Sequence, residues 1–433
     1  MIIDSLPEKY VRRMSSQLGS EARLFFDALE GPYIRGIRIR RGILPDGSDL
    51  SDTIPWAMDG YYLPVDSRAG STVLHEAGAY YLQEPSAMIP VAVLDPEPGE
   101  RILDLCAAPG GKSTQIGALM RGKGLLVSNE PVLTRAKVLS MNIERMGIGN
   151  AIVTSAMPHD LEKIWEGSFD SILVDAPCSG EGMFRRHPEA AAEWYEGINE
   201  ACAQRQSMIL RSAVKMLRGG GTLVYSTCTF SPLENEETVR RFLSENNDFR
   251  LEPFSINGLP PCDGMMTYYP HRLRGEGHFA AKLVRSGSAA AGSHYDPPRT
   301  KQVAAVSFLK QLGFEFPAER IGTFSGRYVL LPEDPVPVTG IKVLRLGLDL
   351  CEAKGTVFAP LHALALWQDR VDVELDREEA VRFIHGEAIP KNVPLRGYVI
   401  AGYKGCPLGW GKACEGIIKN HYPKGLRKQL QIC

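Results

Sequence analysis

The sequence predicts an α/β fold with a doubly wound parallel sheet between residues 101 and 230. Short apolar runs alternate there with stretches of helical periodicity, and successive βα units of this kind form parallel sheets covered by helices. One run, Phe169-Asp-Ser-Ile-Leu-Val-Asp175, is apolar at most positions, as expected of a strand buried on both faces. We therefore expect helices on both sides of this sheet.

Length and composition predict a soluble globular protein of about two to four domains. The 433 residues are 44% hydrophobic and 23% charged, with a net charge of -2 at pH 7, so any nucleic-acid surface must be local. The chain shows no signal peptide and no apolar run long enough to cross a bilayer. Nine cysteines without a C-x-x-C pair argue against a zinc site or a disulfide framework. We expect a cytoplasmic protein with no membrane partner and no metal.

The first elements are predicted from periodicity and from glycine and proline. Residues 1–30 have helical spacing, and Gly31 with the proline after it ends that unit. In residues 33–42 isoleucines alternate with Arg38 and Arg40, which predicts a strand. Such a strand either presents a row of guanidinium groups to phosphates or is a solvated edge strand protected by its charges. The pattern leaves both interpretations open.

The central elements follow in order from residue 101. The predicted strands cover residues 102–106, 125–130, 151–154, 169–175 and 223–230. A helix over 199–218, ended by Gly219-Gly-Gly221, leads into the last of them. In such sheets ligands bind beyond the carboxyl ends of the strands, so we look there for chemistry.

The turn after the first of these strands, Ala107-Ala-Pro-Gly-Gly-Lys112, predicts a nucleoside site. A P-loop would need glycine where Cys106 stands, and the dinucleotide fingerprint G-x-G-x-x-G is absent. What remains is a glycine turn with Asp104 before it and Glu130 at the end of the second strand, where a carboxylate suits two ribose hydroxyls. This favours adenosine without a pyrophosphate, as in S-adenosylmethionine, over a dinucleotide. An unliganded structural turn stays open.

Two cysteines come just after the last two predicted strands of the sheet. Cys228 comes directly after the apolar run of the last strand, and Asp175-Ala-Pro-Cys178 follows the strand before it. Free cysteines are usually small buried hydrophobes, and a lone acid here would be a turn or cap residue. If the two strands are neighbours, however, Asp175, Cys178 and Cys228 converge beside the adenosine pocket.

Two thiols and an acid beside a methyl donor suggest methylation of carbon 5 of cytosine. That carbon is a poor nucleophile until a group adds at carbon 6, and a thiolate can add there reversibly. Asp175, protonated or hydrogen-bonded at ring nitrogen 3, would stabilise the resulting enamine. A base must then remove the carbon 5 proton so that the cysteine can leave.

Three segments carry a family resemblance: DLCAAPGGKS (Asp104–Ser113), DAPCSGEGMF (Asp175–Phe184) and YSTCTFSPLENEE (Tyr225–Glu237). They resemble the Nol1/Nop2/Sun family of RNA cytosine methyltransferases. The resemblance implies a Rossmann-like class I methyltransferase domain that uses S-adenosylmethionine. It also implies that Cys228 is the nucleophile, that Cys178 assists product release and that Asp175 handles the base.

The resemblance implies a cofactor site as well. Its residues are Asp104, Cys106, Ala107, Ala108, Pro109, Gly110, Gly111, Lys112, Glu130 and Asp175. The family often has Asp or Asn near the end of the third strand to meet the adenine. Here the segment 153–160 offers Ser155 or Asp160 instead, and we assign Ser155 to the cofactor site.

The rest of the chain resembles the appended regions of the bacterial F-type enzymes of small-subunit ribosomal RNA. Residues 344–348 and 360–366 resemble their intermediate domain, and residues 405–412 and 419–427 resemble their PUA-like module. The implied domains are an α+β RNA-recognition extension (1–70), the methyltransferase domain (71–285), a linker (286–300), an intermediate domain (301–372) and a PUA-like RNA-binding domain (373–433).

The composition of the last residues of the chain also favours RNA binding. Residues 417–433 contain four Lys or Arg and no acid, interleaved with His421 and Tyr422. Such a strip can pair with phosphates and stack on bases, although charged tails are often merely solvated.

The function implied is 5-methylcytosine formation in ribosomal RNA, with the RNA or the assembling small subunit as partner. The target cytosine must be single-stranded or flipped, because carbon 6 is shielded in a stacked helix. The same chemistry on tRNA, a non-catalytic assembly factor that binds RNA, and a small-molecule methyltransferase are the alternatives. A monomer is expected.

Overall fold

The computed structural model describes residues 5–45, 51–288, 302–355 and 357–430. The amino-terminal elements are α1 (Glu8–Leu18), α2 (Ala22–Glu30), β1 (Arg35–Ile39), β2 (Gly60–Leu63), α3 (Val73–Glu76) and β3 (Tyr80–Leu82). The three strands form an antiparallel sheet in the order β2-β1-β3. The helical spacing predicted for residues 1–30 is confirmed over the described part, with a break between the two helices.

Both interpretations of Arg38, in β1, and of Arg40, which directly follows it, are wrong. The strand is the central one of its sheet, and Arg38 is only 4% exposed. Its guanidinium donates to the carbonyl of Gly111 at 2.9 Å and to Thr114 Oγ1 at 2.7 Å. Arg40 donates to the carbonyl of Leu366 at 3.0 Å. These side chains join the amino-terminal sheet to the rest of the molecule instead of facing phosphates.

The central sheet contains the predicted parallel strands. Its strands and helices from residue 89 onward are α4 (Ile89–Leu94), β4 (Arg101–Asp104), α5 (Gly111–Met120), β5 (Leu125–Asn129), α6 (Leu133–Arg145), β6 (Ala151–Ser155), α7 (Pro158–Leu161), β7 (Phe169–Asp175), α8 (Pro188–Glu193), α9 (Ile198–Met216), β8 (Leu217–Thr227), α10 (Glu236–Glu245), β9 (Phe249–Leu251), β10 (Met265–Tyr268) and β11 (His278–Arg285). The parallel strands run in the order β8-β7-β4-β5-β6.

Helices cover both faces of this sheet, as predicted. Side chains of α4, α5 and α6 pack on one face, and those of α7, α9 and α10 pack on the other. Adjacent strand residues alternate between the two layers, so Ile102 belongs to the first core and Leu103 to the second.

The sheet is nevertheless mixed at its edge, because β11 pairs antiparallel with β8 and also carries β9 and β10. The prediction that Gly219-Gly-Gly221 ends a helix is wrong, since α9 ends at Met216 and the glycines lie inside β8. A Cβ at Gly221 would lie 2.8 Å from the carbonyl oxygen of Asp170 in β7. The glycine allows the two strands to approach closely.

The carboxyl-terminal third forms two further sheets. Its elements are α11 (Val303–Gln311), β12 (Ile321–Phe324), β13 (Arg327–Leu330), β14 (Lys342–Leu346), β15 (Leu348–Lys354), β16 (Val357–Pro360), α12 (His362–Trp367), β17 (Val373–Glu374), α13 (Arg377–His385), β18 (Ile389–Pro390), β19 (Gly397–Tyr403), β20 (Cys406–Cys414) and β21 (Ile417–Asn420). The sheet orders are β12-β13-β15-β16 and β17-β19-β20-β21-β18. Strand β14 joins neither, because it pairs antiparallel with β6 at the free edge of the central sheet.

The division at residues 70, 285, 300 and 372 stays a prediction. The amino-terminal sheet takes its third strand from residues 80–82, and most of the predicted linker lies outside the described residues. In the basic strip, Tyr422 is buried against His362 and Phe383, so the prediction that it stacks on bases is wrong. Among the described residues, none of the helices has the length and apolar character needed to cross a membrane.

Candidate active site

The predicted site residues meet at the carboxyl ends of adjacent strands. Asp104 ends β4, Asp175 ends β7 and Cys228 follows β8. Strands β7 and β8 pair directly, with Asp175 opposite Ser226, so the expectation that the two thiol-bearing strands are neighbours is confirmed. This is the edge at which ligands bind in open α/β sheets.

The two thiols lie in contact. Cys178 Sγ is 3.3 Å from Cys228 Sγ, and neither cysteine is in a disulfide. The hydrogen bond with Cys228 and burial together raise the pKa of Cys178 well above its ordinary value. Cys178 therefore keeps its proton at neutral pH.

Asp175 is held by donors on both carboxylate oxygens. Oδ2 accepts from Lys112 Nζ at 2.7 Å, Oδ1 accepts from Ser226 Oγ at 2.8 Å, and His278 Nε2 lies 3.3 Å from Oδ1. Burial alone would raise the pKa of Asp175, but Lys112 and His278 outweigh it and hold the pKa well below its usual range. The resting group is a carboxylate, so the protonated form considered from the sequence is not the resting state.

Sequence reasoning missed two neighbours of Asp175. It placed Lys112 only in the cofactor turn and gave His278 no role. Strand β11 begins at His278, and its pairing of Phe279 with Thr227 brings that end beside Cys228. The available signal was a histidine opening an apolar run soon after the segments that carry the two thiols, but the pairing itself is long-range. Burial lowers the pKa of His278, so this imidazole is neutral at pH 7.

Two cavities meet at these residues. The first, of about 810 Å³, is lined by residues that include Glu130, Pro131, Val132, Met157, Pro158, Arg205 and Met208. The second, of about 430 Å³, is lined by residues that include Tyr81, Gln83, Lys112, Arg186, His187 and His278. Cys106, Ala108, Asp175 and Cys228 line both cavities. Two molecules bound in them would face each other across the acid and the thiol.

The glycine turn shapes the wall between the cavities. Gly110 has a φ of +114°, a conformation that residues with a Cβ rarely adopt, and a Cβ there would lie 3.2 Å from Leu139. Ala107 N donates to the carbonyl of Asn129 at 2.8 Å, and the carbonyl of Pro109 accepts from Asn142 Nδ2 at 2.8 Å. These bonds fix the turn on β5 and α6.

The acids of the predicted cofactor site occupy different surroundings. Asp104 is fully buried, accepts from Ser113 Oγ at 2.6 Å, and has its pKa raised by burial to about 7. Glu130 lines the first cavity and accepts from the backbone of Val132 at 3.0 Å. Gly111 lines the second cavity at the start of α5.

The structure does not bring Ser155 to the cavities. Its hydroxyl donates to the carbonyl of Pro131 at 3.1 Å, and neither Ser155 nor Asp160 is a lining residue. Met157 and Met208 line the first cavity instead, and the two residues are 51% and 61% exposed. Sequence reasoning missed both because an exposed methionine on a loop or a helix carries no distinctive pattern.

Within the described residues no group of three or more His, Cys, Asp or Glu side chains could hold a metal ion. The thiols of Cys178 and Cys228 contact each other, and Asp175 is held by lysine, serine and histidine side chains instead.

Four family models match successive parts of the chain. The model described as 16S rRNA methyltransferase RsmB/F matches residues 91–284. The N-terminal domain of 16S rRNA methyltransferase RsmF matches 6–85, the RsmF rRNA methyltransferase first C-terminal domain matches 307–367, and the methyltransferase RsmF PUA domain matches 370–428. The predicted combination of a Rossmann-like methyltransferase domain with a PUA module is confirmed.

Curated proteins and solved structures that are similar to this chain agree with the family models. A ribosomal RNA small subunit methyltransferase F from Shewanella loihica is 33% identical, covering 88% of this chain and 85% of its own. The protein of that name from Cronobacter sakazakii is 32% identical, covering 97% and 96%. A methyltransferase homolog from Pyrococcus horikoshii is 28% identical with a TM-score of 0.56, covering 66% of this chain and 98% of that chain.

The fold is also that of NSun6 from Pyrococcus horikoshii with SFG, which is 23% identical with a TM-score of 0.56 and matches 66% of this chain and 99% of that chain. The family models and the curated relatives, with which the joined cavities and the paired thiols are consistent, show the family. This chain belongs to the 16S rRNA methyltransferase RsmB/F family and carries the amino-terminal, first carboxyl-terminal and PUA domains of its RsmF members.

Proposed function

We propose that this methyltransferase transfers a methyl group from S-adenosylmethionine to carbon 5 of a cytosine in small-subunit ribosomal RNA. The names of its relatives support the RNA substrate. The observation that carries the chemistry is the pair of thiols, 3.3 Å apart, at the junction of two nucleoside-sized cavities.

The first cavity fits S-adenosylmethionine. Glu130 can accept from two ribose hydroxyls, and the thioethers of Met157 and Met208 offer polarisable contacts to the adenine ring. The turn at Gly110 lets the backbone approach the ligand closely. When bound there, the cofactor supplies an electrophilic methyl group at the wall shared with the second cavity.

Cys228 is the group that activates the cytosine. After its thiol proton is lost to solvent, its thiolate adds to carbon 6, and the electron pair displaced from the ring double bond makes carbon 5 nucleophilic toward the methyl group. Loss of the carbon 5 proton to a base then restores the double bond and breaks the carbon–sulfur bond. Cys178, which keeps its proton, donates to the departing Cys228 thiolate and stabilises it.

Asp175 and Lys112 complement the edge of cytosine. The carboxylate can accept from the amino group at carbon 4, while the ammonium can donate to ring nitrogen 3 or to oxygen 2. Uracil presents an acceptor where cytosine has the amino donor, so it meets the carboxylate unfavourably. The ammonium also stabilises the negative charge that sulfur addition places on the ring.

The proposal is tested by methyl transfer from labelled S-adenosylmethionine to unmodified small-subunit RNA, to small subunits and to tRNA, with the product located by bisulfite sequencing. We expect 5-methylcytosine in the ribosomal substrate, no transfer by Cys228→Ala and full transfer by Cys414→Ala, which removes a free cysteine from the carboxyl-terminal sheet. Transfer to tRNA alone would overturn the proposed ribosomal substrate, and methylation at another atom would overturn the proposed reaction at carbon 5.

A further inference from the structure

Two adjacent buried residues, Glu234 and Asn235, each hold one of the thiol-bearing segments. They lie just before α10, in the ENEE segment of the sequence, and both are fully buried. We propose that Glu234 and Asn235 are positioning residues that set the separation of Cys178 from Cys228. The proposal rests on the proposed function for its catalytic meaning, although the geometry can be tested without it.

Glu234 holds Ser179, the residue after Cys178, directly and holds Pro177, the residue before it, through Gln206. Its Oε2 accepts from the backbone of Ser179 at 3.0 Å, and its Oε1 accepts from the Ser179 hydroxyl at 2.6 Å. Gln206 Nε2 donates to Glu234 Oε2 at 2.9 Å and to the carbonyl of Pro177 at 3.2 Å. The residues before and after Cys178 are therefore bonded to one carboxyl group and one amide.

The contacts of Glu234 require two acceptor oxygens. Asn199 Nδ2 donates to Oε1 at 2.7 Å, so four donors converge on the carboxyl group, and burial raises its pKa. A glutamine of the same shape has a single acceptor oxygen. Its amide nitrogen would face donors, leaving two hydrogen bonds unmade in a buried place.

Asn235 holds both neighbours of Cys228. Its Oδ1 accepts from Thr227 Oγ1 at 2.6 Å, and its Nδ2 donates to the carbonyl of Thr229 at 2.9 Å. Thr229 Oγ1 also lies 2.7 Å from the hydroxyl of Ser179, which links the two thiol segments directly.

The consequence is a fixed distance between two loops that are far apart in sequence. Because Glu234 and Asn235 share one peptide bond, the segment around Cys178 cannot shift relative to Cys228 without breaking contacts of one of them. A displacement of about 1 Å between reacting groups can reduce a rate about 100-fold. The pair therefore governs how well Cys178 stabilises the departing sulfur.

The geometric test uses oxidation by a diazene such as diamide, without RNA or S-adenosylmethionine. Cys178 and Cys228 together lose two hydrogens to form a disulfide, and the diazene gains them to become a hydrazine. We expect Glu234→Gln and Asn235→Asp to form this disulfide about tenfold or more slowly than the native chain. The matched control is Glu237→Gln, an exposed position on α10, and it should react at the native rate. Peptide mass spectrometry measures the rate of disulfide formation. Native rates in both variants would overturn the proposal.

A second measurement tests whether the positions set by Glu234 and Asn235 matter for the reaction. With RNA and cofactor, Glu234→Gln should accumulate a covalent protein–RNA adduct, as is expected of Cys178→Ala, while its affinity for S-adenosylmethionine stays within about twofold of native. Should Glu234→Gln fail to fold, Ser179→Ala removes the hydroxyl shared by Glu234 and Thr229 and should also slow disulfide formation. Slow disulfide formation together with a native chain that methylates no RNA would refute the proposed function and leave the positioning role standing.

Discussion

The reactive groups of the site have protonation states set by their partners. Burial alone would raise the pKa of Asp175, but the Lys112 ammonium beside it keeps it ionised, whereas Cys228 and burial both favour the protonated thiol of Cys178. The motifs located these residues. Their protonation states could not be predicted, because they depend on the 2.7 Å and 3.3 Å contacts between side chains of different segments.

Substitution of each thiol should stop the reaction at a different stage. Cys228→Ala should lower methyl transfer about 1000-fold or more, since the neighbouring thiol of Cys178 keeps its proton and is a poor nucleophile, and S-adenosylmethionine binding should persist. Cys178→Ala should leave a covalent protein–RNA adduct, seen as a slow band on a denaturing gel. Normal turnover by Cys228→Ala would contradict the nucleophile assignment, and the absence of any adduct would make Cys178 structural.

Removal of the Lys112 ammonium should shift the pH dependence of kcat. In Lys112→Met the effect of burial on Asp175 is less opposed, so its pKa rises and the carboxylate becomes protonated at a higher pH than in the native enzyme. The acidic limb of the kcat profile should therefore move to higher pH, with a loss of about 100-fold at neutral pH. Lys123→Met, at an exposed position after α5, is the control. An unchanged limb would mean that Asp175 does not act as a carboxylate.

At the scale of elements, local patterns predicted the parallel strands and the glycine turn, because a buried strand and a tight turn each depend on a few consecutive residues. Long-range pairing decided the rest. The place of β1 at the centre of its sheet depends on strands that follow it at residues 60–63 and 80–82. The prediction that the glycines at 219–221 end a helix is wrong because Gly221 admits β7, and Gly219 and Gly220 approach residues 287–288; a sequence window contains neither partner.

The turn between β4 and α5 gives a test at this scale. Gly110→Ala must adopt a positive φ and crowd Leu139, so we expect S-adenosylmethionine affinity to fall about tenfold or more and stability to fall by about 1 kcal/mol or more. Gly99 also has a positive φ, +104°, but its Cβ position is open. Gly99→Ala should lose stability without losing affinity, as measured by calorimetry. Equal affinities for the two variants would show that the turn does not shape the cofactor site.

At the scale of the whole molecule, RNA binding must come from local surfaces, since the net charge is -2. The five-stranded sheet offers one. Tyr398, Lys412 and Lys419 stand in register across β19, β20 and β21, and the ammonium of Lys412 lies 5.5 Å from the Tyr398 ring centre. Both lysines are exposed. The basic strip predicted from sequence thus keeps its cations at the surface but buries Tyr422.

Reversal of these charges should weaken RNA binding without changing the rate of methyl transfer in the bound complex. Lys412→Glu with Lys419→Glu should lower RNA affinity and reduce the slope of log affinity against log salt by about two, while kcat at saturating RNA stays native. Lys137→Glu, at an exposed position on the outer face of α6, is the control and should change neither quantity. Filter binding over a salt series measures both, and an unchanged slope would place the RNA elsewhere.

Strand β14 comes from beyond the catalytic domain, yet it pairs with β6. Without it, the outer backbone amides and carbonyls of β6 would face solvent as a template for other chains. A fragment that stops after β11 would therefore be expected to self-associate even with every catalytic group in place. We therefore expect the carboxyl-terminal third to keep the enzyme's own sheet from extending into a neighbouring molecule, in addition to any part it has in holding the substrate.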